Sequence, residues 1–213
     1  MPSQIIKVQK EKDVAAGLRR AAGTLLSGGM VVVPTESFYG LAVNALDEKA
    51  IERLLAVKKR GGDHPILILI PSVDVLEKYA AHIPAAAQGL IKSFWPGGLT
   101  IVFHAGPRIS PLLTAGSGKI GIRLSSHPIA TGLAREAGVP ITGTSANLSS
   151  QPPCVSADEV FQALGGEVDL ILDGGETAGG KGSTVLDVTV NPPSILREGM
   201  VEKETLKPFI NEG

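Results

Sequence analysis

Apolar positions along the chain switch between two spacings, and each switch marks an element. After Asp13, the residues Val14, Leu18, Ala21, Ala22 and Leu25 recur at helical spacing, and the pattern stops at Gly28-Gly29. The apolar, β-branched run at 30 to 34 predicts a buried strand. Asp47 stands as an N-cap before a second helix, whose apolar face carries Ile51, Leu54 and Leu55. That helix delivers Lys58, Lys59 and Arg60 to its C-terminal end, where cations suit the helix dipole. Further strands are predicted at 66 to 70, 100 to 103, 120 to 124, 140 to 142, 168 to 172, 184 to 188 and 195 to 197. Helices at about 73 to 80, 84 to 94, 128 to 137 and 156 to 164 interleave with them. Leu206, Phe209 and Ile210 suggest a short packed helix in the tail.

Strands alternating with helices imply an α/β protein. Six Gly-Gly pairs punctuate the elements without a fixed period, and no linker or repeat stands out, so the expectation is one domain over residues 1 to 213.

With 43% apolar residues, a chain of this size can bury a sizeable core. The N-terminus, MPSQIIKVQKEKD, lacks the apolar stretch of a signal peptide, and the strongest apolar run, Ile66 to Ile70, is too short to span a bilayer. A cytoplasmic protein with no membrane partner is expected. Cys154 has no second cysteine to pair with and takes a structural reading. The four histidines fall at no spacing typical of a metal site, so no protein-held metal is expected.

The formal net charge of −1 gives no support for broad nucleic-acid binding. Its distribution is more informative. Lys58, Lys59, Arg60, Lys119, Arg123, Lys181 and Arg197 fall in or beside Gly-rich or strand-end segments, where side chains can converge on an anion.

Two motifs fail on context. GSGKIG, residues 116 to 121, matches a dinucleotide-binding pattern, but Ile120, Ile122 and Leu124 continue it as a strand instead of a helix. GETAGGKG, residues 175 to 182, has Gly182 where a P-loop needs Ser or Thr, and a strand follows there too.

Four segments place polar or cationic residues where an apolar element gives out. They are Pro34-Thr35-Glu36-Ser37, Lys58-Lys59-Arg60, Thr144-Ser145-Ala146-Asn147 and Lys181-Gly182-Ser183-Thr184. In open α/β sheets, ligands bind where loops from several strand ends meet. Singly, the hydroxyls and Asn147 read as turn or capping residues, and the 58 to 60 cations as a solvated last turn. Arg123 and Arg197 resist that reading, because each sits in a short apolar strand where an unpaired guanidinium is costly if buried.

In this order the residues resemble the YrdC family of threonylcarbamoyl-AMP synthases, in its short single-domain form. The resemblance runs from about Gly28 to Arg197, through VVVPTESFYGLAVNA, KKRGGDHPILILI, WPGGLTIVF, IGIRLSSHPIA, VPITGTSANLS, VDLILDGG, GSTVLDV and PSILREG. The paired K-x-R and S-x-N signature stands as Lys58-Lys59-Arg60 and Ser145-Ala146-Asn147.

The resemblance implies a twisted open mixed sheet with flanking helices and a large, concave, basic site. It implies a nucleotidyltransferase that joins L-threonine, bicarbonate or CO₂ and ATP into threonylcarbamoyl-AMP, releasing pyrophosphate, for threonylcarbamoyladenosine formation in tRNA. Mg²⁺ would arrive with ATP. By the same resemblance, Lys58 and Arg60 would meet the triphosphate and carry the catalytic charge compensation. Ser145, Asn147 and Arg197 would complete the ATP site. Thr35, Arg123 and Ser183 would hold threonine, with the Arg123 guanidinium against its carboxylate. The hydroxyls after Val33 would then line the threonine pocket, exposed because the sheet ends there. Further partners it suggests are double-stranded RNA or tRNA and the complex that transfers threonylcarbamoyl to tRNA, although aromatics at 4% serve base stacking poorly.

Three positions depart from the family pattern. Ser37 replaces a usual Thr, Gly61-Gly62 stand where a Pro usually follows the K-x-R arginine, and Lys119 adds a cation without an evident role. The extra C-terminal domain of longer relatives is expected to be absent. The alternative is a YciO-like nucleotide- or RNA-binding protein of the same fold without synthase activity. Ser37 leans that way, while Lys58, Arg60, Ser145 and Asn147 lean more strongly toward the synthase.

Overall fold

The computed structural model describes residues 3–59, 64–148 and 151–210. In chain order its strands are β1 (Gln4–Lys7), β2 (Val31–Pro34), β3 (Tyr39–Ala42), β4 (Leu67–Leu69), β5 (Leu99–His104), β6 (Lys119–Arg123), β7 (Ile141–Ser145), β8 (Leu170–Asp173), β9 (Thr184–Asp187) and β10 (Ser194–Arg197). The helices are α1 (Glu11–Leu26), α2 (Glu48–Lys58), α3 (Ala85–Phe94), α4 (Pro111–Thr114), α5 (Pro128–Ala137), α6 (Ala157–Leu164) and α7 (Lys203–Ile210). The strands form one mixed sheet in the order β1-β8-β2-β3-β7-β4-β6-β5-β9-β10. The α/β class read from the alternation is therefore the class observed.

Local chemistry sets several boundaries. The Asp47 side chain accepts hydrogen bonds from the Lys49 and Ala50 amides and caps α2, which ends where Lys59 turns left-handed at φ 49°. The His127 side chain caps α5 through the Ile129 amide, and Gly138 closes that helix at φ 67°.

Three expectations change. The predicted helix at 73 to 80 is a 3-10 helix over Val73–Lys78. The strand predicted at 140 to 142 runs on to Ser145, because Gly143 and Ser145 keep their registers with Leu67 and Gly40. Beyond Pro34 the sheet does not end: the chain turns and returns as β3, antiparallel to β2.

The two faces of the sheet differ. Val32, Leu41, Ile68, Ile101, Phe103, Ile122 and Leu186 belong to the larger core, shared with Ile51 and Leu54 of α2, Leu90 of α3 and Val160 of α6. On the opposite face, α1 and α5 pack against Val31, Val33, Ala42, Leu69, Ile141, Leu170 and Leu172. Side chains alternate along a strand, and registered partners share a face. Gly40, Gly121, Arg123, Gly143 and Ser145 therefore lie on the α1/α5 side of the sheet, on strands toward and beyond the margin of that second core. Three of these five positions are glycines: Leu67 and Leu69 fill the space over Gly143, Leu67 and Thr100 fill that over Gly121, and only Gly40 has ordinary room for a Cβ.

Candidate functional site

The β2–β3 turn is closed by Thr35, whose hydroxyl donates to the Phe38 carbonyl at 2.7 Å and accepts from the Phe38 amide at 3.4 Å. Thr35 and Ser37 are consequently buried, at 8% and 4% exposure. The expectation of exposed hydroxyls at a sheet end gives way to a tight turn that spends the Thr35 proton on its own backbone. That turn carries Glu36 to Arg123.

Glu36 and Arg123 form an ion pair at 3.4 Å between side chains only 10% and 6% exposed. The Glu36 Oε2 atom also accepts from the Ser125 hydroxyl at 2.6 Å. Glu36 Oε1 and Arg123 Nε are buried without a hydrogen-bond partner among the described residues. Burial depresses the Arg123 pKa, the Glu36 charge opposes that shift and the nearby Arg197 charge adds to it.

Arg197 lies on β10, the last strand of the sheet, where the residue is exposed although partial burial of its guanidinium lowers its pKa. It grips Ser183: Nε and Nη2 donate to the Ser183 carbonyl at 3.3 and 2.9 Å, and Nη2 reaches its hydroxyl at 3.2 Å. Ser183 is buried, and its hydroxyl shares a hydrogen bond of 2.8 Å with Thr100. The glycine-rich segment before it is pinned by the Gly179 amide on the Ser37 carbonyl at 2.7 Å, by the Thr177 amide on the Val155 carbonyl at 2.9 Å and by the Tyr39 hydroxyl on the Gly175 carbonyl at 2.6 Å. Burial, with the Asp173 charge, pushes the Tyr39 phenol up to about 12, so it remains a proton donor.

Lys58 is fully buried, unlike a solvated last helical turn. Its ammonium donates to the Ser145 carbonyl at 2.7 Å, the Asn147 carbonyl at 2.7 Å and Asn147 Oδ1 at 2.8 Å. The Ser145 hydroxyl donates to the same Oδ1 at 2.6 Å, and the Asn147 amide group donates to the Gln151 carbonyl. The K-x-R lysine and the S-x-N pair thus form one bonded unit. Arg60 and Gly61-Gly62 lie outside the described residues.

Lys119, without an evident role in the sequence, pairs with Asp187 at 2.9 Å. Glu36, Ser125 and Thr100 escaped the sequence reading as site residues. The only signal for Glu36 was its place between the two hydroxyls of PTES; Ser125 and Thr100 carried none. Two surface hollows, of about 330 and 650 Å³, share Arg53 in their linings, and neither is lined by Lys58, Arg123, Ser145 or Arg197. Converging charge marks the candidate site. Among the described residues no helix is long and apolar enough to cross a membrane, and no group of three or more His, Cys, Asp or Glu side chains is placed to hold a metal ion.

The chain is similar to proteins whose names bear on this site. A family model for Sua5, YciO and YrdC proteins, described as "Telomere recombination", matches residues 23–199. The threonylcarbamoyl-AMP synthase of Pyrococcus abyssi is 40% identical over 195 residues, covering 92% of this chain and 57% of that protein. The structure of P. abyssi Sua5 complexed with L-threonine superposes with a TM-score of 0.94 at 39% identity, covering 99% of this chain and 62% of that one. E. coli YciO superposes with a TM-score of 0.86 at 29% identity, covering 97% of this chain and 99% of that one. The chain therefore spans little more than half the length of the archaeal protein it resembles. A twisted mixed sheet flanked by helices, the ordered motifs and the matched span together make this chain a member of the Sua5/YciO/YrdC family.

Proposed function

We propose that the protein is a threonylcarbamoyl-AMP synthase, a nucleotidyltransferase acting on L-threonine, bicarbonate or CO₂ and ATP. The observation that carries this reading is Arg123, a buried guanidinium paired with Glu36, with an N–H that has no partner among the described residues, and within the field of Arg197, which holds Ser183. The 40% identity to the archaeal synthase, against 29% to YciO, supports it.

In this reading the threonine amine takes up CO₂ to form a carbamate and releases a proton. A carbamate oxygen then attacks the α-phosphorus of ATP as pyrophosphate leaves. No covalent enzyme intermediate is needed, so the protein supplies positioning and positive charge. Arg123 receives the threonine carboxylate, with Ser183 and Thr35 beside it. Arg197 and Arg60 compensate charge at the phosphates, and Ser145 and Asn147 offer hydrogen bonds to phosphate or ribose oxygens. Lys58 adds a fixed positive charge and holds the Ser145–Asn147 loop through its three hydrogen bonds. Mg²⁺ is the counter-ion of the triphosphate and enters with it. The product would serve threonylcarbamoyladenosine formation in tRNA, with a transfer complex as its recipient.

Incubation of purified protein with ATP, magnesium, bicarbonate and L-threonine, followed by mass spectrometry, tests the reading. A threonylcarbamoyl-AMP product that disappears when any one of ATP, bicarbonate or threonine is omitted is the expected result. A folded protein that binds ATP and forms no such product would instead have the YciO-like role.

A further inference from the structure

The Glu36–Arg123 pair is costly as a purely structural feature. Two charges are taken out of water, yet one atom on each partner is left without a hydrogen bond. Such half-satisfied pairs are less stable than well-packed apolar residues of similar volume. The pair is also built asymmetrically: Ser125 satisfies Oε2 of Glu36 and leaves Oε1 unused, while Arg197 adds repulsion to Arg123. A ligand that completes it must offer an acceptor to the guanidinium and a donor to the carboxylate, a short distance apart. An α-amino acid zwitterion does so, because its carboxylate and ammonium are attached to the same carbon.

We propose that Glu36 is a substrate-binding residue whose Oε1 accepts a hydrogen bond from the α-ammonium of the amino acid, while Arg123 holds its carboxylate. This deepens the synthase reading and rests on it. Ser125 is the positioning residue, fixing the carboxylate plane through Oε2. The arrangement also gives a direction to the first chemical step. Carboxylation replaces the ammonium with an anionic carbamate, which Glu36 repels and the cations of the phosphate site attract. The intermediate is thereby pushed toward the α-phosphorus.

Calorimetric titration of the full chain with L-threonine and with 3-hydroxybutanoate, which is threonine without its amine, separates contact from positioning. Glu36→Gln keeps the size and an acceptor for Ser125 but loses the charge. It is expected to weaken L-threonine binding by about 10- to 100-fold, the range for losing a hydrogen bond to a charged group. Binding of 3-hydroxybutanoate is expected to stay unchanged or to tighten. Glu36→Asp, which retains the charge, is expected to recover part of the threonine affinity and guards against misreading a folding defect. Equal weakening of both ligands by Glu36→Gln would reduce Glu36 to a support for Arg123 and overturn the proposal, as would unchanged threonine binding. A folded wild-type protein that binds no L-threonine would overturn the synthase reading as well, an outcome distinct from either variant result.

Discussion

Lys58 donates to both the carbonyl oxygen and the Oδ1 of Asn147, at 2.7 and 2.8 Å, from a side chain with no exposed surface. Two signature motifs separated by a whole run of strands are thus one structural unit, and the lysine acts on the nucleotide loop through bonds as well as through charge. Lys58→Met retains much of the volume and removes all three donors. Two backbone carbonyls lose this donor, and burying an unsatisfied carbonyl costs about 1–3 kcal/mol for each group, so the expected loss of stability is about 2–6 kcal/mol, together with loss of ATP-dependent product. Urea unfolding checks the first part. A wild-type midpoint and slope in this variant would show that the lysine contacts contribute nothing to the fold.

Arg197 offers the opposite balance. It is exposed at the last strand and touches the site by holding the Ser183 carbonyl and hydroxyl. The hydrogen bonds it gives up are partly solvated, and each contributes about 0.5–1.5 kcal/mol. Arg197→Met is therefore expected to melt within a few degrees of wild type while kcat/KM for ATP falls by about 10-fold or more, the range for a charge-assisted contact. Unchanged kinetics in a folded variant would remove Arg197 from the nucleotide site.

The contrast between these cations shows what a sequence reading reaches. Asp47 as a cap, the strand through Ile120 and Ile122, and the α/β alternation depend on neighbours in sequence, and all were legible. Arg123 stood out because a guanidinium within an apolar strand demands a partner. The identity of that partner was not legible, since Glu36 lies 87 residues earlier and only the fold brings them together. Taken alone, the 58 to 60 cations read as a solvated turn, and the acceptors that bury Lys58 were not legible, being 87 and 89 residues away. For Arg197 the sequence left open whether its apolar strand was enclosed, and the fold places β10 at the sheet edge. The sheet was read as ending after Pro34, with exposed hydroxyls; the return of the chain as β3 and the turn closure by Thr35 are geometric facts that composition does not carry.

Gly40 tests whether the room beside Ser145 serves the ligands. A Cβ there would lie 3.5 Å from Thr35 Cγ2, an ordinary contact, so the backbone tolerates a side chain. Gly40→Ala is expected to fold with near wild-type stability. Gly40→Leu projects bulk over the face shared with Ser145 and is expected to reduce ligand binding far more than stability. Calorimetry with ATP and L-threonine beside thermal melts separates the two effects; Gly40→Leu protein that folds and binds both ligands normally would place the substrates elsewhere.

Asp187 predicts part of the acid response. Burial acts to raise its pKa, but hydrogen bonds from Thr189 and Lys119, with the Lys119 charge, outweigh it and hold the carboxyl below its ordinary 3.8. A carboxyl depressed in the folded state binds its proton more readily when unfolded. Its stabilisation is therefore complete above the ordinary value and is lost as pH falls through the lower, native one. The pair is internal on the Asp187 side, at 6% side-chain exposure, and 33% exposed on the Lys119 side. Asp187→Asn is accordingly expected to be destabilised at neutral pH by about 1.5–3 kcal/mol, the range for a hydrogen bond to a charged group. The gap between variant and wild type should narrow only below about pH 4, where carboxyls ordinarily protonate. Urea unfolding of both proteins across the acid range checks this. A gap that stays constant with pH would mean that Asp187 contributes through packing, and that its charge and Lys119 are not coupled to folding.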